Sequence, residues 1–242
     1  VVHSEVLLPD GAPERLGTRK ALWNAVEAVE LRKDAQLSRE VEFALPRELN
    51  QAEGIRLARE FVTREFASRG MIADLNVHWD VGADGEPKPH AHVMLSLREV
   101  GEQGFGAKVR DWNRTDLLEH WREAWGVHVN ERLAELGIDA RVDHRSLDEQ
   151  GIALEPQHKI GRAARSRAAE GLEADRLDEH REIARENGDR IIVNPAIALD
   201  AITRQQATFT QRDLAMFVHR HSDGLDQFNA VMQAVQSSPE LV

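Results

Sequence analysis

Asn76-Val77-His78-Trp79-Asp80, followed after a short gap by Pro89-His90-Ala91-His92-Val93-Met94-Leu95, decides how this chain is read. Side chains at i and i+2 of a strand leave the same face, so His90 and His92 point one way. His78 closes a run rich in branched apolar residues at 72–77, and residues 82–85 (Gly-Ala-Asp-Gly) supply a turn. The pattern predicts a hairpin that carries one imidazole on its first strand and two on its second, all on one surface. Three neutral imidazoles around a divalent cation leave coordination positions open for an oxygen-rich ligand such as phosphate. A lone strand histidine is more often a solvated polar residue, and His-x-His pairs arise by chance. The third histidine, one turn away across the hairpin, is what separates this segment from that bland case.

Outward from the hairpin, residues 2–8 alternate and stop at Pro9-Asp10-Gly11, which predicts a strand. Arg19–Val29 has helical spacing. Residues 39–45 alternate strictly and end at Pro46, a second strand. Residues 50–69 form a helix with Asn50 as N-cap and Gly70 as terminator. A long helix spans 117–136, capped by Asn113 or Thr115, and 140–143 reads as a short last strand. There is no regular βαβ rhythm, so the fold class is α+β with an antiparallel sheet flanked by helices. From 161 to 187 the chain is rich in Arg, Glu and Ala, which suggests an exposed connecting helix. Apolar periodicity returns at Ile191: one helix at 196–204, a second opened by a Thr210/Asp213 capping box, and a third starting at Asp223 or Asp226. The expected organisation is a domain at 1–160, a charged helical linker at 161–190 and a mostly helical C-terminal module at 191–242.

With 242 residues, 41% of them hydrophobic, a substantial core can form. The absence of cysteine excludes disulfides and thiolate metal sites and fits a reducing cytosol. No apolar run is long enough for a membrane span, and no signal peptide is visible. A net charge of −11 argues against a nucleic-acid partner. That argument is weakened because much of the acid alternates with Arg in helical segments, and because a bound cation adds positive charge locally. Residues 1–8 read as an interior strand without an initiator Met, so the chain is expected to be a piece of a longer protein or a processed product.

Further candidates lie on strands and loops. Glu40 and Glu42 share one strand face and Glu48 follows the Pro46-Arg47 step; any of the three could orient or deprotonate a hydroxyl nucleophile, and spacing does not choose among them. Asp143-His144-Arg145-Ser146-Leu147 and Glu155-Pro156-Gln157-His158-Lys159-Ile160-Gly161 are compact polar loops. Arg145, Lys159 and Arg162 are candidate phosphate contacts.

Arg39-Glu40-Val41-Glu42-Phe43-Ala44-Leu45-Pro46-Arg47-Glu48-Leu49, then His78 with Pro89-His90-Ala91-His92, then Asp143-His144-Arg145-Ser146-Leu147 with Gln150-Gly151-Ile152, together resemble the MobA/MobL family of conjugative relaxases. Within it they are similar to Ti-plasmid-type transfer relaxases, in which a helicase region follows. The resemblance runs from Val1 to about Gly161, and 191–242 is similar, more weakly, to the start of that helicase region. It implies a histidine–hydrophobe–histidine fold, with helices packed on one side of the sheet. His78, His90 and His92 would be ligands of one Mg²⁺ or Mn²⁺ ion, and Glu40, Glu42 and Glu48 the acidic positions. Arg47, Lys88, Arg145, Lys159 and Arg162 would contact DNA. The implied partners are single-stranded DNA at an origin of transfer and other relaxosome and coupling proteins, in the bacterial cytoplasm. The implied reaction is a transesterification in which a tyrosine hydroxyl attacks a phosphodiester. This chain has no tyrosine, so the nucleophile is expected upstream of Val1. Three rival readings compete: a replication initiator or transposase of the same superfamily, a metal-free interaction module, and a zinc hydrolase that needs no tyrosine.

Overall fold

A computed structural model describes residues 1–82, 85–157 and 174–241. Two compact units emerge, Val1–Ile138 and Asp139–Val242. Residues 158–173, which hold the expected boundary near 160 and the start of the 161–190 segment, lie outside the described residues.

The first unit is built on four antiparallel strands, β1 (His3–Leu7), β2 (Arg39–Ala44), β3 (Ala73–Val81) and β4 (Pro87–Leu95), in the order β1-β3-β4-β2. Alternation sorts their side chains. Phe43, Leu75, Val77, Ala91 and Val93 face a core shared with α2 (Gln51–Glu65) and α3 (Thr115–Glu135). The other face takes Glu40, Glu42, Asp74, Asn76, His78, His90 and His92, the partners that period two demands. Within the core Phe61 of α2 meets Phe43, Phe66 and Trp125 at centroid separations of 5.5, 5.8 and 4.9 Å. These rings tie both helices to the sheet.

Asn50 caps α2 as expected, its side chain accepting from the Glu53 amide at 3.0 Å. The helix proper stops at Glu65. A 3₁₀ turn at Ala67–Arg69 carries the chain to Gly70, whose φ of +92° is left-handed and suits glycine. Glu65 is buried beneath this turn. Burial pushes its pKa up, but hydrogen bonds from His120 and Arg64 and the Arg69 charge more than offset this and hold it below the usual value. α3 is not capped by Asn113 or Thr115: Arg114 occupies the cap position with no side-chain bond, because Asn113 is engaged by Arg39 and Thr115 already lies inside the helix.

α1 (Arg19–Val29) lies on the opposite sheet face from α2 and α3, at the end away from the histidines. Asp74, only 1% exposed, accepts from Arg19 Nε and Nη2 at 2.8 and 2.7 Å and from Trp23 Nε1 at 2.9 Å. The helices therefore flank both faces of the sheet, leaving the histidine end of one face uncovered by α1. Below α1, Leu22 and Val26 pack with Val100 and Phe105 of a hairpin, β5 (Arg98–Gly101) and β6 (Gly104–Lys108), which the sequence reading did not anticipate. Its strands are too short and Gly-rich to alternate. Arg98 and Lys108 anchor it on Glu30 at 2.9 and 3.1 Å.

In the second unit residues 140–143 form no strand; they run as a loop, with the Arg141 N–H donating to Gln205 O at 2.6 Å. Four helices follow among the described residues: α4 (Ala174–Val193), α5 (Ala196–Thr203), α6 (Gln211–Arg220) and α7 (Gly224–Gln236). Ile191, Leu199, Ile202, Leu214, Val218, Val231 and Val235 form their core with Ile152 and Leu154. Both halves of the Thr210/Asp213 capping box are present. Asp223 occupies the N-cap of α7, but its own amide donates to Gln227 Oε1 at 2.7 Å. Buried Asn187 clamps the Glu155 backbone at both N–H and C=O, each at 2.8 Å.

Beside it His221 is buried, accepting from Asn187 at 3.5 Å. Desolvation, then the Arg220 charge, lowers its pKa from 6.5 to about 4. Above pH 6.5 the imidazole is neutral in both the folded and unfolded chain. As pH falls, the unfolded chain binds a proton first, so this unit loses up to about 3 kcal/mol between pH 6.5 and 4. Denaturant midpoints are expected to fall across that window in the wild type and to fall less in His221→Gln.

Candidate metal and phosphodiester site

The β3–β4 ladder sets His78 directly opposite His90 and Asn76 opposite His92, while β2 sets Glu42 opposite His92. The three imidazoles close into a triangle with centroid separations of 5.0 Å (His78–His90), 5.0 Å (His78–His92) and 5.1 Å (His90–His92). The outer nitrogens of two rings are already used. His90 Nδ1 lies 2.9 Å from Lys88 O, and His92 Nδ1 lies 2.7 Å from Glu40 Oε1. A neutral imidazole that donates from Nδ1 carries its lone pair on Nε2, which is the form that ligates a metal. The surroundings of His78 favour its neutral form. Burial, then the Val1 ammonium and the other two imidazoles, lower its pKa against the opposing pull of Asp80. Three imidazoles with ring centroids 5.0 to 5.1 Å apart can offer nitrogen donors to one divalent cation.

The ligand atoms of His78, His90 and Asp80 all lie within 4.8 Å of one another. Asp80 was absent from the expected ligand set. Its signal was present in the sequence, since it stands two residues after His78 and so shares its strand face.

The other candidates are placed unevenly. Glu40 bonds to the His92 ring, and Glu42 shares the histidine face. Glu48 lies past the end of β2 and pairs with Arg47 at 3.4 Å. Lys88 is exposed on β4 opposite Asp80. Arg145 belongs to the second unit and is gripped by Asp143 through Nε at 3.0 Å and Nη2 at 2.6 Å, which holds the Asp143 carboxyl at about 2. Lys159 and Arg162 lie outside the described residues. Also missed was the polar platform next to the triad. Arg19 bonds to Ser4 Oγ at 2.5 Å and to Asn76, whose ladder partner is His92. Only the strand register reveals it, because its members come from α1, β1 and β3.

The MobA/MobL family model matches residues 1–169. The chain belongs to the MobA/MobL family. Among curated relatives, the conjugal transfer protein TraA of Agrobacterium fabrum is 37% identical over all of this chain and 25% of its own length. TraA of Rhizobium radiobacter is 36% identical over 96% of this chain and 24% of its own length. The chain thus spans about a quarter of these relatives. A solved structure described as the molecular basis of vancomycin resistance transfer in Staphylococcus aureus is 36% identical, with a TM-score of 0.54, covering 60% of this chain and 75% of that one. The antiparallel sheet with flanking helices is therefore a fold that this MobA/MobL chain shares with a solved protein. Among the described residues, no helix is long and apolar enough to cross a membrane.

Proposed function

We propose that this chain is the strand-cutting part of a conjugative relaxase, which nicks one DNA strand at an origin of transfer in the bacterial cytoplasm. The observation that carries this reading is the triangle of imidazoles, 5.0 to 5.1 Å between ring centroids, on the sheet face that also carries Glu40 and Glu42. Mg²⁺ or Mn²⁺ held by His78, His90 and His92 would polarise a non-bridging phosphate oxygen and offset the charge that builds there. Glu40 fixes the tautomer and tilt of His92. With Glu40 so committed, Glu42 is the β2 carboxylate left on that face to take a hydroxyl proton. The hydroxyl belongs to a tyrosine upstream of Val1. The tyrosine oxygen bonds to phosphorus as the bond to the 3′ oxygen breaks, yielding a 5′-phosphotyrosyl link and a 3′-hydroxyl that can attack in reverse. Arg47, Lys88, Arg145, Lys159 and Arg162 serve as backbone phosphate contacts. Residues 191–242 begin a helicase-associated module, and relaxosome and coupling proteins are the further partners.

The test uses the protein extended upstream to include its tyrosine, with an end-labelled single-stranded origin oligonucleotide and Mn²⁺. The expected outcome is a shortened labelled strand and a denaturant-resistant protein–DNA adduct, both absent from the Tyr→Phe variant. Failure of the extended protein to cut in either Mg²⁺ or Mn²⁺ overturns the reading.

A further inference from the structure

We infer that Asp80 is a fourth ligand of the cation held by the three histidines, and that its carboxylate biases the centre toward Mn²⁺ and Mg²⁺. The inference rests on the metal reading above and goes further, to a residue and a metal preference. Its basis is position. Asp80 follows His78 by two residues on β3, on the face that also carries His90 of β4. An oxygen of Asp80 and nitrogens of His78 and His90 already lie within 4.8 Å of one another. His92 and Glu40 bound the triad on the β2 side, and Asp80 bounds it on the side of the β3–β4 turn. Three nitrogens and one oxygen leave two positions of a six-coordinate ion for substrate oxygens.

The chemical consequence follows from donor type. Imidazole alone suits Zn²⁺, Ni²⁺ and Cu²⁺, whereas a carboxylate oxygen improves the match to the harder Mn²⁺ and Mg²⁺. The same carboxylate lowers the net charge of the centre, so the ion holds an incoming phosphate less tightly and releases it more readily. The competing role is a solvated carboxylate set across the ladder from Lys88. That role would act on a cation only through space, and equally on any divalent ion.

Calorimetric titration of this chain with Mn²⁺ and with Ni²⁺ distinguishes these roles in wild type, Asp80→Asn and His90→Ala. Water-proton relaxation by the bound Mn²⁺ counts its coordinated waters. Ligation by Asp80 is expected to show as a loss of Mn²⁺ affinity of about tenfold or more in Asp80→Asn. The loss for Ni²⁺ should be clearly smaller, and the bound Mn²⁺ should gain one water. Equal losses for both ions with an unchanged water count would overturn the ligand role, as would unaltered Mn²⁺ affinity, while the histidine site would stand. Wild-type protein that binds neither ion, with His90→Ala indistinguishable from it, would bring down the metal reading and this inference together.

Discussion

Replacing His90 with alanine should reduce Mn²⁺ affinity by roughly 100-fold or more, the scale seen when a metal site loses a ligand or its support. In the tyrosine-containing protein it should abolish detectable nicking. His90 is the residue to choose because it sits at the meeting point of the site. It faces His78 across the ladder, shares its strand face with His92, and belongs to the donor set that includes Asp80. Its Nδ1 is held by Lys88 O, so its ring costs little to order. The substitution leaves the core intact, since His90 lies on the face opposite Val93 and Leu75. Unchanged thermal stability without cation, together with lost binding, is the expected signature. Cutting at the wild-type rate with His90→Ala would mean that the imidazoles do not hold the working ion.

Phe61→Ala should destabilise the first unit by about 3–5 kcal/mol, a large share of the roughly 5–15 kcal/mol that holds a typical domain together. Phe61 is 1% exposed, and its ring meets Phe43 on β2, Phe66 at the end of α2 and Trp125 on α3. Removing it opens a cavity where three elements converge, and the large aromatic neighbours cannot collapse into it without leaving their rotamers. Chemical denaturation followed by tryptophan fluorescence measures the loss. At a temperature where the variant remains folded, Mn²⁺ affinity should change by no more than a few-fold, because the cavity is on the far face of the sheet from the histidines. A loss below about 1 kcal/mol would contradict this account of the core.

Much of the first unit was legible in the sequence because the signals were local and periodic. Strict alternation over Arg39-Glu40-Val41-Glu42-Phe43-Ala44 marked β2 and told in advance which face would carry the glutamates. Asn50 and Gly70 bracketed α2 and its 3₁₀ extension because a cap side chain and a positive φ depend on one or two residues. In the second unit the Thr210/Asp213 box was equally plain. The misses share a cause. The β5–β6 hairpin carries too few alternating residues to stand out and is held by Glu30, which is distant in sequence. The failure of residues 140–143 to pair, and of Asn113 to cap α3, depended on partners elsewhere, Gln205 and Arg39.

The same division runs through the candidate site. Composition and i, i+2 spacing were enough to put His90 and His92 on one face and to nominate His78 as their companion, since a strand alternates whatever surrounds it. Strand order and register were not contained in that spacing. Bringing β2 beside β4 joined Glu40 to His92, and setting His78 opposite His90 drew Asp80 into the cluster. Those pairings are decided by which arrangement buries Phe43, Leu75, Val77 and Val93 against α2 and α3. A slip of one residue would turn every histidine into the core.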